Sequence, residues 1–80
     1  MFINKTEDGF NNICGKRITE KRIAMGLSQR ELADKLQLIG LDIDKNAIQR
    51  IECGKRFVTD IEIKYLSRAL ELSYIELLGE

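Results

Sequence analysis

Residues 22–56 read RIAMGLSQRELADKLQLIGLDIDKNAIQRIECGKR, and the fold depends on how this stretch divides. Ser28 and Glu31 stand three apart within it. In a Ser/Thr-x-x-Glu box the hydroxyl takes a backbone N–H that the first helical turn leaves unpaired, and the glutamate reaches back to another. A helix therefore begins after Ser28 and covers Gln29 to about Leu38, with Leu32, Ala33 and Leu36 at the spacing of one buried face. Upstream, Gly26 ends an earlier helix as a left-handed cap. Downstream, Asp44 caps a third helix over Lys45–Cys53, with Ile43 and Ile48 placed as a hydrophobic staple and Gly54 as the stop.

Two further boxes, Thr59 to Glu62 and Ser73 to Glu76, start helices over Asp60–Leu70 and Tyr74–Leu78. The helix that Gly26 closes opens near Cys14 and sets Cys14, Ile18, Arg22 and Met25 on one side. Five helices without a strand signal predict an all-α domain over residues 13–80. The charge of the first twelve residues, with Gly9 among them, predicts a flexible N-terminal arm over 1–12.

Eighty residues suffice for one domain with a modest core, and 44% hydrophobic content is too apolar for disorder. The longest uncharged stretch, around Leu36 to Leu41, is too short to span a membrane. MFINKTEDGF lacks an apolar run behind a basic end, so no signal peptide is expected, and two cysteines fit a reducing cytoplasm. The net charge of zero conceals an uneven distribution. Residues 14–56 hold ten Lys/Arg against six Asp/Glu, while residues 57–80 hold two against five. Distribution, more than the sum, marks a nucleic-acid partner.

CGKR occurs twice, at Cys14–Arg17 and Cys53–Arg56. One copy opens a helix and the other closes one, and their flanks differ, so this is no internal repeat. Two cysteines 39 residues apart, in a chain without histidine, make no metal site. The reading that remains is small buried residues at helix ends, with the Lys-Arg pairs flanking one face. Without histidine, a Gly-rich phosphate loop or a supported acidic pair, no enzyme and no cofactor are expected.

Gly26-Leu27-Ser28-Gln29, then Leu32-Ala33, then Ile48-x-x-Ile51-Glu52-x-Gly54-Lys55, resemble the phage-repressor and Cro-type (XRE-like) helix-turn-helix DNA-binding family. The resemblance extends over residues 13–79. It implies a compact five-helix repressor-like domain in which helices 2 and 3 form the helix-turn-helix and helix 3 enters the major groove. Lys45, Asn46, Gln49 and Arg50 fall on one polar side of that helix, and their chemistry suits guanine and adenine edges. The resemblance also implies phosphate contacts from Gln29, with Lys55, Arg56 and Arg17 as further candidates, and a largely buried Arg22–Glu52 ion pair. Two departures stand out. Ala33 precedes Ile48 by fifteen residues, about five more than the short turn of the motif implies. Asp44 also stands where the family has a neutral cap.

Two functions follow. One is a sequence-specific transcriptional regulator, a homodimer on a palindromic double-stranded DNA operator. Tyr74, Leu77 and Leu78 would then supply the dimer contact or else complete the core. The other is a protein-interaction module of the same fold, an antitoxin or anti-repressor partner, favoured by the zero net charge, Asp44 and the acidic tail.

Overall fold

A computed structural model of the chain describes residues 5–79. Its helices are α1 (Gly15–Ala24), α2 (Gln29–Leu38), α3 (Lys45–Glu52), α4 (Asp60–Leu70) and α5 (Tyr74–Leu78), with no strand among the described residues. All three boxes close as the sequence predicts: Ser28, Thr59 and Ser73 each accept from the backbone of Glu31, Glu62 and Glu76, whose carboxylates return the bond. Asp44 caps α3 through Ala47 N–H, at 2.8 Å.

The helix ends share one device. Beyond α1, α2 and α3 a glycine with positive φ (Gly26, Gly40, Gly54) bonds back to the carbonyl three residues earlier, and the next residue bonds back across five. These paired bonds satisfy carbonyls that the last turn leaves open. Beyond α4 the same turn is made by Glu71 at φ +54, where a side chain is disfavoured.

The five elements enclose one core. Ile18, Leu32, Leu36, Ile48, Ile51, Leu66, Leu70 and Leu77 are fully buried, and Ile43 joins them in the staple with Ile48. Burial of each such side chain contributes about 1.5–3 kcal/mol. The lengthened α2–α3 connection belongs to this core. Leu41 packs against it, Gln37 Nε2 donates to the Ile43 carbonyl at 2.8 Å, and Gly40 lies beside the Tyr65 ring of α4. The extra residues therefore brace α3 against α2 and α4.

Residues 5–12, within the segment expected as an arm, lie against the loop that follows α3, while residues 1–4 lie outside the described residues. Thr6 and Phe10 close a tight turn, and Asn11 and Asn12 bond across to the loop that follows α3. The reach is through polar donors 44 residues away in sequence, which no hydrophobic period reveals. Cys14 is sealed in the core, but Cys53 is exposed. Cys53 follows Asn46 by seven residues and Gln49 by four, which puts it on the outward side of α3.

The first CGKR copy nevertheless approaches the end of α3, just ahead of the second. Gly15, in the first turn of α1, lies so close to the Ile51 carbonyl of α3 that a Cβ there would strike it. One copy opens α1 at the point where the other closes α3.

Candidate nucleic-acid interface

On α3, Ile48 and Ile51 are buried and Ala47 is half-buried against the core. The helical period then turns Lys45, Asn46, Gln49 and Arg50 outward, and all four are exposed. None of their side chains bonds to another described residue. An amide, an ammonium and a guanidinium held this way on one rigid face can donate to base edges, and the amides can also accept. The α2–α3 turn does not wall them off.

The orientation of α3 is set by one carboxylate. Arg22 of α1 donates Nε and Nη2 to Glu52 Oε2 and Oε1 at 2.7 and 3.0 Å, and Nη1 to the Leu27 carbonyl at 2.8 Å. Gln29 Nε2 also reaches Glu52 Oε1, at 3.0 Å. The side chains of Arg22 and Glu52 are 13% and 6% exposed, so the pair is largely out of water. The Glu52 carboxylate beside it holds the Arg22 guanidinium above its ordinary pKa. Leaving either charge alone there would cost about 3–5 kcal/mol. The ion pair expected from the sequence thus ties α1, α2 and α3 together. Gln29, expected at phosphate, gives one of its two amide N–H groups to this knot, and its backbone sits in the first turn of α2.

Lys55 follows the α3 stop and is exposed, with no side-chain partner among the described residues.

A helix-turn-helix family model matches residues 18–77. The chain belongs to the helix-turn-helix family. The crystal structure of the restriction-modification controller protein C.AhdI from Aeromonas hydrophila is similar to it. The two are 35% identical with a TM-score of 0.68, over 79% of this chain and 84% of that one. Comparison with curated proteins gives no match.

The other two phosphate candidates are Arg56, paired with α4, and Arg17, beside α5. Arg56 grips Glu62 with Nη1 and Nη2 at 2.9 and 2.7 Å and also donates to the Phe57 carbonyl. The Arg56 guanidinium, helped by Thr59 N–H, holds the Glu62 carboxyl below the usual range against the opposing effect of burial. Arg17 lies about 200° around α1 from Gly15, which faces α3. It lines a groove between α1 and α5 with Lys21, Leu72, Ile75 and Glu76.

Asn11, Asn12 and the Arg56–Glu62 pair lie outside the contacts expected from the sequence. For Glu62 a signal existed, since a box glutamate keeps an oxygen for a second donor. For the asparagines none did.

Proposed function

We propose that this chain, a DNA-binding transcription regulator of the helix-turn-helix family, reads its operator in the major groove with α3. Asn46 and Arg50 meet base edges, with Lys45 and Gln49 beside them. Lys55 holds phosphate beyond the helix, and the N-terminal turn of α2 at Gln29 holds it on the other side. The observation that carries this reading is the α3 face: four polar side chains exposed, and unengaged among the described residues, opposite a buried Ile48–Ile51 stripe. The similar structure is that of a restriction-modification controller protein, which supports a controlling role in gene expression. The site of action proposed is the cytoplasm.

The regulator is proposed to bind as a homodimer on a palindrome, with half-sites about 34–36 Å apart. Of the α5 candidates, Leu77 is sealed in the core and Leu78 is half-buried, whereas Tyr74 is open. Tyr74 lies with Ile61 and Ile63 in one depression, and Ile63 continues into a second with Ile13, Phe57, Val58 and Leu78. That apolar strip is the proposed dimer face.

Selection from a randomised duplex pool followed by salt titration tests the reading. Each phosphate that a Lys or Arg neutralises is expected to add about −0.9 to the log–log salt slope. Arg50→Ala is expected to relax preference at one base position, and Lys55→Ala to weaken all sequences alike. A flat salt response without a selected sequence would instead support the protein-interaction module.

A further inference from the structure

Three consecutive carbonyls beyond α3 are taken by a single dipeptide. Gly54 O accepts from Asn11 N–H at 2.7 Å, Lys55 O from Asn11 Nδ2 at 2.9 Å, and Arg56 O from Asn12 Nδ2 at 2.8 Å. Asn12 Nδ2 also donates to Ile51 O at 3.0 Å, and its Oδ1 accepts from Gly15 N–H at 2.8 Å. The Phe10 ring closes over Gly54 so tightly that a Cβ there would collide with it. Lys55, in the middle of this grip, keeps its own side chain exposed.

Gly54 is buried and needs a partner, but the Lys55 carbonyl lies at the exposed edge of the loop, where water would satisfy it without Asn11. A loop that meets a phosphate needs the bond nonetheless. A carbonyl oxygen turned toward an anion repels it, and a mobile backbone must be ordered at the moment of binding. Capturing all three carbonyls from the protein side removes both costs before DNA arrives. Asn11 itself shows where the benefit lies. Its Oδ1 is buried without a partner among the described residues, which costs the desolvation of that oxygen. Rotating the amide to relieve that cost would set the oxygen against the Lys55 carbonyl.

We infer that Asn11 and Asn12 are positioning residues for DNA binding: they pre-set the Gly54–Arg56 backbone so that Lys55 projects to a phosphate. The inference rests on the DNA-reading function proposed above.

The full-length chain and its Asn11→Ala, Lys55→Ala and doubly substituted variants are titrated against random and selected duplexes, between about 50 and 200 mM salt. Asn11→Ala is expected to weaken both duplexes equally, about 3- to 10-fold, and to flatten the salt slope by about one. Base preference and melting temperature hold steady, since an orphaned acceptor leaves with the side chain. In the Lys55→Ala background the same change does nothing further. Equal losses in both backgrounds, or affinity falling only in step with melting temperature, would overturn the inference. Should Asn11→Ala not fold, Asn11→Ser is too short to reach the Lys55 carbonyl and gives the same comparison. Wild-type binding that ignores Lys55 removes the proposed function along with the inference. Lys55-dependent binding that ignores Asn11 removes the inference alone.

Discussion

Cys53 sits between Gln49 and Lys55 on the outward side of α3, exposed, while Cys14 is buried and its thiol is pushed up to about 11 by that burial. The two thiols should therefore be told apart by chemistry. At about pH 7 the buried thiol is protonated and shielded, and a nucleophile must be an accessible thiolate. A maleimide is expected to couple once, at Cys53, with Cys14 reacting only after denaturation, as mass spectrometry can count. Because the label would stand on the proposed reading face, the coupled protein should keep its melting temperature and lose its selected duplex. Full binding by fully labelled protein would put that face away from DNA.

A second residue-scale prediction concerns Glu62. Its folded pKa is depressed chiefly by the Arg56 hydrogen bonds, so the unfolded chain binds the proton more readily. The stability this contributes is present above the unfolded value of about 4.3 and is lost as pH falls through the lower folded value. Urea denaturation should find Glu62→Gln less stable than wild type at neutral pH, with the gap closing below pH ~4. A gap that stays constant from neutral to acid would show that the Arg56–Glu62 pair carries no charge-dependent stability.

At the scale of elements, the chain is most legible where local chemistry fixes an end. A hydroxyl three residues before a glutamate starts α2, α4 and α5, and a glycine at positive φ stops α1, α2 and α3. Each signal acts within one turn of helix, so a short window of sequence contains its cause. The docking of residues 5–12 is different in kind. It depends on Gly15 approaching the Ile51 carbonyl and on Asn12 bridging both, a meeting set by tertiary packing. Of the candidate site, the α3 face was legible from the helical period, whereas the engagements of Gln29 and Arg56 depend on partners brought in by other helices. Gly15 provides the test. In an open helix Gly→Ala gains about 1 kcal/mol. Here the new Cβ would strike a backbone carbonyl and lie 2.8 Å from Asn12 Oδ1. Gly15→Ala should instead cost about 1–3 kcal/mol, the range of overpacking. The melting temperature should fall by several degrees; a rise would mean that α1 and α3 do not approach this closely.

At the scale of the whole molecule, the α3 face and the apolar strip must act together if two copies share one operator. A single α3 contacts one half-site, and joining two makes the second contact effectively intramolecular, worth about 10²–10⁴ in affinity. The strip has the composition for this. Ile13, Phe57, Ile61 and Tyr74 are each more than half exposed, and two of its depressions share Ile63. Single exposed apolar residues are ordinary, but several of them lining adjoining depressions suit a contact surface. Ile61 is 64% exposed and lies outside the buried cluster, so Ile61→Lys should leave the monomer folded while setting a like charge against its symmetry mate. Sedimentation equilibrium is expected to show dimer for the wild type and monomer for the variant. Affinity for an isolated half-site should be unchanged, since α3 is untouched, and only the advantage of the full palindrome should vanish. A variant that remains dimeric would move the two-fold axis off this strip. One that loses half-site binding as well would show that the strip supports α3 directly.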